Sequence, residues 1–66
     1  MLTHERFAYL AEKYIDTVFR VAFSYLKSRE DADDVTQEVF IKLYSVNTEF
    51  ESEEHIRSWL IRVTIN

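Results

Sequence analysis

Ser28 to Tyr44 reads SREDADDVTQEVFIKLY, and its periodicity decides the fold. Ser28 is suited to cap a helix, because its hydroxyl can accept a bond from a free N–H of the first turn. Glu30 and Asp31 follow in that turn, where the helix dipole favours carboxylates. Ala32, Val35, Val39, Leu43 and Val46 then recur at three- and four-residue steps, the stripe of a helix with one face in a core. The expected end is near Val46–Asn47. The opposite side is odd. Asp34, Gln37, Glu38 and Ile41 fall within an arc of roughly 100° at 3.6 residues per turn, with Tyr44 at its edge. Two readings stand side by side. One is a solvated face with a stray isoleucine, since single exposed apolar residues are common. The other is a docking face, with Ile41 as anchor, Gln37 giving adaptable hydrogen bonds, and Asp34 and Glu38 pairing with Arg or Lys of a basic partner helix.

The same test extends outward. From Phe7 to Leu26, the residues Phe7, Leu10, Ala11, Tyr14, Ile15, Val18, Val21, Ala22, Tyr25 and Leu26 share one broad side. Thr3 is the expected N-cap, and Lys27-Ser28-Arg29 closes the element. The pattern fits one long helix, or two joined by a kink near Tyr14–Asp16. Residues 47–51 carry no stripe and read as a loop. Ser52 then caps a third helix, with Glu53 and Glu54 in its first turn and Ile56, Trp59, Leu60 and Val63 facing the core. This pattern runs on to Asn66 with no stop signal, as a third helix truncated at its C-terminus would. The expected fold is an all-α, three-helix bundle-like domain over residues 1–66.

Composition supports that and excludes much else. The 66 residues contain no Gly and no Pro. Tight hairpins favour Gly, whereas helices can be ended with Ser, Thr, Asn and Asp. No Cys is present, so no disulfide or thiolate metal site can form, which fits a reducing cytoplasm. No apolar run approaches the roughly 20 residues of a membrane span. His4 and His55 stand far apart, in no HExxH or ExxH arrangement. A nucleophile elbow needs glycines the chain lacks. Asp31-Ala32-Asp33-Asp34 has the start of a calcium loop but neither its turning Gly nor an oxygen ligand at Val35. The expectation is a binding protein, not an enzyme, with no cofactor and no metal.

The third helix offers a second constellation. His55, Arg62 and Asn66 share a face, with Trp59 at its core-side edge. Asn can read a base edge, Arg can hold a phosphate, and an aromatic ring can stack on an unpaired base. The alternative is a polar helix flank beside a core tryptophan, the usual place for aromatic residues at helical spacing.

Taken together, DADDVTQEVFIKLY followed by F-x-S-x-x-x-x-x-SWLIRVTIN closely resembles region 2 of bacterial sigma factors of the extracytoplasmic-function (ECF) class. The family pattern is roughly D-A-E-D-L-x-Q-E-x-F-x-x-x-(W/Y), a short loop with Phe, then W-L-x-x-I-A-x-N. It stands here as Asp31-Ala32-Asp33-Asp34-Val35, Gln37-Glu38, Phe40, Tyr44, Phe50, Trp59-Leu60, Arg62-Val63 and Asn66. The resemblance implies a cytoplasmic transcription initiation module. It implies that Asp34, Gln37, Glu38 and Ile41 contact the clamp helices of the largest subunit of core RNA polymerase. It also implies that the loop and third helix help recognise and melt the promoter −10 element. There a flipped base would sit in a pocket lined by Phe50 and Asn66, with Glu51 and Ser52 nearby and Arg62, then Arg57, as phosphate contacts. An anti-sigma factor is a further implied partner.

The formal net charge is −4, whereas autonomous nucleic-acid binders usually carry a basic footprint. The family continues past the Asn with a basic stretch, and a second domain reads the −35 element. Residues 1–66 are therefore expected to be an incomplete region 2. Glu49, Glu51, Glu53 and Glu54 repel phosphates, so the expected affinity for promoter DNA is weak. Exposed Ile61 and Ile65 would favour self-association. The alternative function is a helical protein-interaction module, a regulator or decayed paralogue, that keeps the polymerase-docking face without DNA binding.

Overall fold

The N-terminal helix is set by its first turn. Thr3 takes an extended conformation, and its hydroxyl accepts the Arg6 N–H at 3.0 Å. The computed structural model describes residues 2–66. Its helix α1 runs His4–Leu26 as one element. It is not interrupted near Tyr14–Asp16. Sharp kinks need a Pro, Gly/Ser pairs or a π-bulge, and the segment has neither Pro nor Gly. Leu10, Tyr14, Val18 and Ala22 are its buried residues, each one turn beyond the last.

Helix α1 ends in a left-handed cap without glycine. Lys27 takes φ 57° and ψ 21°, and its N–H donates to the Phe23 carbonyl at 2.8 Å. This reverses the chain into α2, Arg29–Ser45, whose cap Ser28 accepts from the Asp31 N–H at 3.3 Å. Helix α3, Glu53–Ile65, starts from Ser52, which accepts from the His55 N–H at 3.1 Å. Among the described residues there are three helices and no strand.

Phe7 and Tyr44 meet edge to face with ring centroids 5.0 Å apart, so α2 runs antiparallel to α1. Glu53 meets Arg6 and Lys13, and Val63–Asn66 share a depression with Ala22, Tyr25 and Leu26. Helix α3 is therefore parallel to α1, giving an up-down-up bundle. The core between them is Leu10, Tyr14, Val18, Val39, Phe40, Leu43, Ile56 and Leu60. Each such aliphatic side chain contributes about 1.5–3 kcal/mol by leaving water.

The buried face of α2 is Ala32, Thr36, Val39, Phe40 and Leu43, so Thr36 and Phe40 join the expected stripe while Val35 and Val46 are only half-buried. Val46 lies outside the helix as its C-cap. Thr36 is in the core because its hydroxyl bonds back to the Ala32 carbonyl at 2.7 Å, so this buried donor is paired. On α1 the apolar arc was too broad. Ile15, Tyr25 and Leu26 are exposed, because two neighbouring helices cover only part of a third.

Candidate functional site

The outer face of α2 follows from its inner one. With Val39 and Leu43 held inward, Asp34, Gln37, Glu38 and Ile41 are carried outward, and all four are exposed. Ile41 is 65% exposed. Among the described residues, no hydrogen bond or ion pair engages the side chains of Asp34, Gln37 or Glu38. Two depressions flank this strip. Gln37, Ile41 and Tyr44 border a groove of about 500 Å³ against Phe7, Ala11 and Ile15 of α1, with Phe40 and Thr36 also lining it. Glu38 borders the other, of about 310 Å³, with Lys42, Val63 and Asn66. The strip is a ridge, acidic on one slope and apolar on the other.

The loop before α3 is ordered by aromatic contacts. Phe50 packs edge-on against Trp59 at 5.7 Å and against His55 at 5.1 Å. The Glu51 N–H donates to His55 Nδ1 at 3.1 Å. The half-buried Phe50 thus belongs to the satellite of the core, together with Trp59. Phe50, Glu51 and Ser52 line a depression of about 520 Å³ that also takes in Leu2, Arg6, Glu53 and Ile56.

Asn66 is not part of it. It follows the last residue of α3, fourteen residues beyond Ser52, about 20 Å along the axis at 1.5 Å per residue. There its N–H donates to the Arg62 carbonyl at 3.0 Å, and its neighbours include Leu26 and Lys42. The structure therefore brings Phe50 and Ser52 together and Arg62 and Asn66 together, as two separate areas. One pocket does not hold both Phe50 and Asn66. Arg57 and Arg62 are exposed. Of the two expected apolar exposures, Ile65 is open and Ile61 is half-buried.

Glu53 is the residue that sequence reasoning passed over. It reads as a first-turn carboxylate, yet it is a hub. One oxygen accepts from the Tyr14 hydroxyl at 2.6 Å and pairs with the Lys13 ammonium. The other meets Tyr9 at 3.2 Å and Arg6 at 3.4 Å. Its side chain is only a quarter exposed. The bonds from Lys13 and then Tyr14 hold its carboxyl down at about 2. The same carboxylate pushes the Lys13 ammonium and the Tyr14 hydroxyl up from their ordinary values. Of the acidic residues at the loop, Glu53 is thereby neutralised locally, and Arg6 adds positive charge to the wall beside Phe50. The signal in the sequence was faint: Arg6, Tyr9 and Lys13 recur at helical steps, but their partner lies 40 or more residues away.

No helix among the described residues is long and apolar enough to cross a membrane. The family model described as Sigma-70 region 2 matches residues 10–66. The ECF RNA polymerase sigma factor SigW of Bacillus subtilis (strain 168) is 27% identical over 62 residues, which cover 94% of this chain and 33% of that protein. The chain spans about a third of the length of this curated relative. No solved structure matches it.

Proposed function

Because the chain belongs to the sigma-70 region 2 family, we propose that it serves transcription initiation by docking on the clamp helices of core RNA polymerase. Asp34, Gln37, Glu38 and Ile41 carry the contact. The observation behind this is the exposed, unpaired acidic and apolar ridge on a helix whose other face is wholly committed to the core. Carboxylates with no partner of their own are free to pair with Arg or Lys of a basic helix pair. An isoleucine standing between them supplies a centre from which water is expelled. The role is one of binding, and no residue is assigned a catalytic part.

The loop and α3 serve promoter DNA at the −10 element, helping to recognise and melt it. Phe50 and Ser52 take the base-facing part, where an aromatic edge and a hydroxyl suit an extruded base. Arg62 and Asn66, at the other end of α3, contact a neighbouring stretch of the strand. An anti-sigma factor acts by covering the α2 ridge and so excluding polymerase.

Calorimetric titration of the chain into an isolated clamp coiled coil tests the docking. Glu38→Lys is expected to abolish binding while the far-UV CD spectrum stays parental, and Gln37→Ala to weaken it. A folded parent that does not bind at high concentration refutes the proposal. The acidity around the loop, from Glu49, Glu51 and Glu54 within a −4 chain, favours a second reading, a polymerase-docking module without DNA function. A shift assay with promoter DNA on the polymerase-bound protein separates the two, since only the first reading predicts that Phe50→Ala changes promoter opening.

A further inference from the structure

The loop that carries Phe50 is tied down by a single hydrogen bond. Among the described residues, residues 47–51 make one, from the Glu51 N–H to His55 Nδ1 at 3.1 Å. It is half of a reciprocal pair, because the His55 N–H donates back to the Ser52 hydroxyl at 3.1 Å. Helix starts of this kind ordinarily place Glu or Gln three residues after the cap, as the side chain that reaches back. Here that position holds His55. The same ring packs edge-on against Phe50, with centroids 5.1 Å apart, and Phe50 in turn meets Trp59 at 5.7 Å.

The direction of the bond fixes the state of the ring. A backbone N–H can only donate, so Nδ1 presents its lone pair, and the neutral ring carries its hydrogen on Nε2. An imidazolium is a donor at both nitrogens. A proton on Nδ1 therefore sets two N–H groups against each other, where Gln at the same place would go on accepting. Histidine is also the side chain whose charge ordinarily changes between about pH 5 and pH 8. The ring is exposed, so a proton reaches it without any opening of the fold. The charged groups at this end of the bundle come from three elements. They are Glu49 and Glu51 on the loop, Glu53, Glu54 and Arg57 on α3, and Arg6 and Lys13 on α1, both engaged by Glu53. Among the described residues no carboxylate forms an ion pair with the ring.

We infer that His55 is the positioning residue of the Phe50 loop, and that a proton on its Nδ1 releases the loop. The neutral ring holds the Glu51 backbone through its nitrogen and the Phe50 ring through its face and edge. The charged ring gives up the first hold, and the loop then has no hydrogen bond to keep Phe50 against Trp59. The release itself stands on this geometry, whereas its effect on promoter opening rests on the base-facing role proposed above for Phe50.

The test is NMR of the chain titrated from about pH 8 to about pH 5, with the His55 ring Cε1–H signal reporting the charge. As that signal titrates, protection of the Glu51 amide, corrected for the pH dependence of free exchange, is expected to fall by about two- to tenfold, the range of one hydrogen bond. The Phe50 ring signals are expected to move with it. His55→Gln keeps an acceptor and has no charge to gain, so its Glu51 protection is expected to stay level; His4, the other histidine, is still present in that variant and serves as its control. A His55 ring that titrates while Glu51 protection and the Phe50 signals stay in place overturns the inference, as happens if the Glu51 carboxylate turns to pair with the charged ring. A fall in His55→Gln equal to the parental one overturns it as well. In promoter opening by the polymerase-bound protein, the parent is expected to lose activity relative to His55→Gln by a similar factor as the pH falls. Release seen by NMR without that divergence leaves the positioning role standing and overturns the role given to Phe50.

Discussion

Leu43 and Ile41 are two residues apart on one helix and have opposite fates, which makes a decisive pair of substitutions. Leu43 is 0% exposed and Ile41 is 65% exposed. Truncating Leu43 to Ala removes buried methyl groups and leaves a hole between α1, α2 and α3, a change that costs about 2–5 kcal/mol. A chain of this size has roughly 3–10 kcal/mol in total, at 0.05–0.15 kcal/mol per residue. Leu43→Ala therefore removes about a fifth or more of the stability. With a urea slope of about 1 kcal/mol/M for a small domain, the midpoint should fall by about 2 M or more, or the variant should not fold at all. Ile41→Ala changes a surface position and should stay within about 0.5 kcal/mol of the parent. Its effect should appear instead in the titration with the clamp coiled coil, as weaker binding. Urea unfolding followed by CD, beside calorimetry, reads both quantities. If Ile41→Ala costs as much stability as Leu43→Ala, α2 is rotated from the orientation described, and the ridge is core.

Two further substitutions test the joints of the bundle. Lys27 holds a left-handed conformation that costs an L-residue about 1 kcal/mol relative to glycine; Lys27→Gly should raise stability by up to about that amount in urea unfolding, and a loss would mean the Lys27 side chain has a role in the reversal. The Glu53 carboxyl is held at about 2, below its ordinary 4.5, so its stabilising effect is fully present above about 4.5 and is lost as the pH falls towards 2. Thermal melts at pH 6 and pH 2 should show Glu53→Gln less stable than the parent at the higher pH and close to it at the lower. An equal gap at both pH values would mean that the charge of Glu53 is not what fastens α3 to α1.

What the sequence made legible was what is local. Thr3, Ser28 and Ser52 announce three helix starts because capping depends on a hydroxyl and the three residues after it. The exposure of Asp34, Gln37, Glu38 and Ile41 follows from the apolar stripe behind them by simple rotation. What stayed hidden depends on distant partners or on a rule that can be broken. Thr36 looks polar by type but is buried, because its hydroxyl turns to its own helix. Phe40 lies off the expected stripe, yet it is in the core because Phe7 and Ala11 of α1 pack against that cluster. Lys27 gives no sign of a left-handed cap, since such caps are usually read from Gly or Asn. Glu53 shows nothing of its four partners, each at least 39 residues away.

The placement of charge connects these details to the proposed role. The chain has twelve acidic and eight basic residues, and a net excess of this kind can be a uniform coat or a pattern. Here it is a pattern. Arg6 and Lys13 are both spent on one acid, Glu53, at the base of α3. That offsets one of the four acids around the loop bearing Phe50. On α2 the opposite holds. Asp34 and Glu38 stand one turn apart on the outer side, and the basic residues of that helix are Arg29, four residues before Asp33, and Lys42, on the Glu38 slope. Exposed charges within a Debye length of about 8 Å act together at physiological salt, so Asp34 and Glu38 present one negative field beside the apolar groove. A single net charge conceals two surfaces of different character: an acidic ridge on α2, and a loop at which one of four acids is offset by Arg6 and Lys13. The separation is enforced by the bundle itself, because the Glu53 hub can form only where α1 and α3 run parallel, with their N-terminal turns side by side.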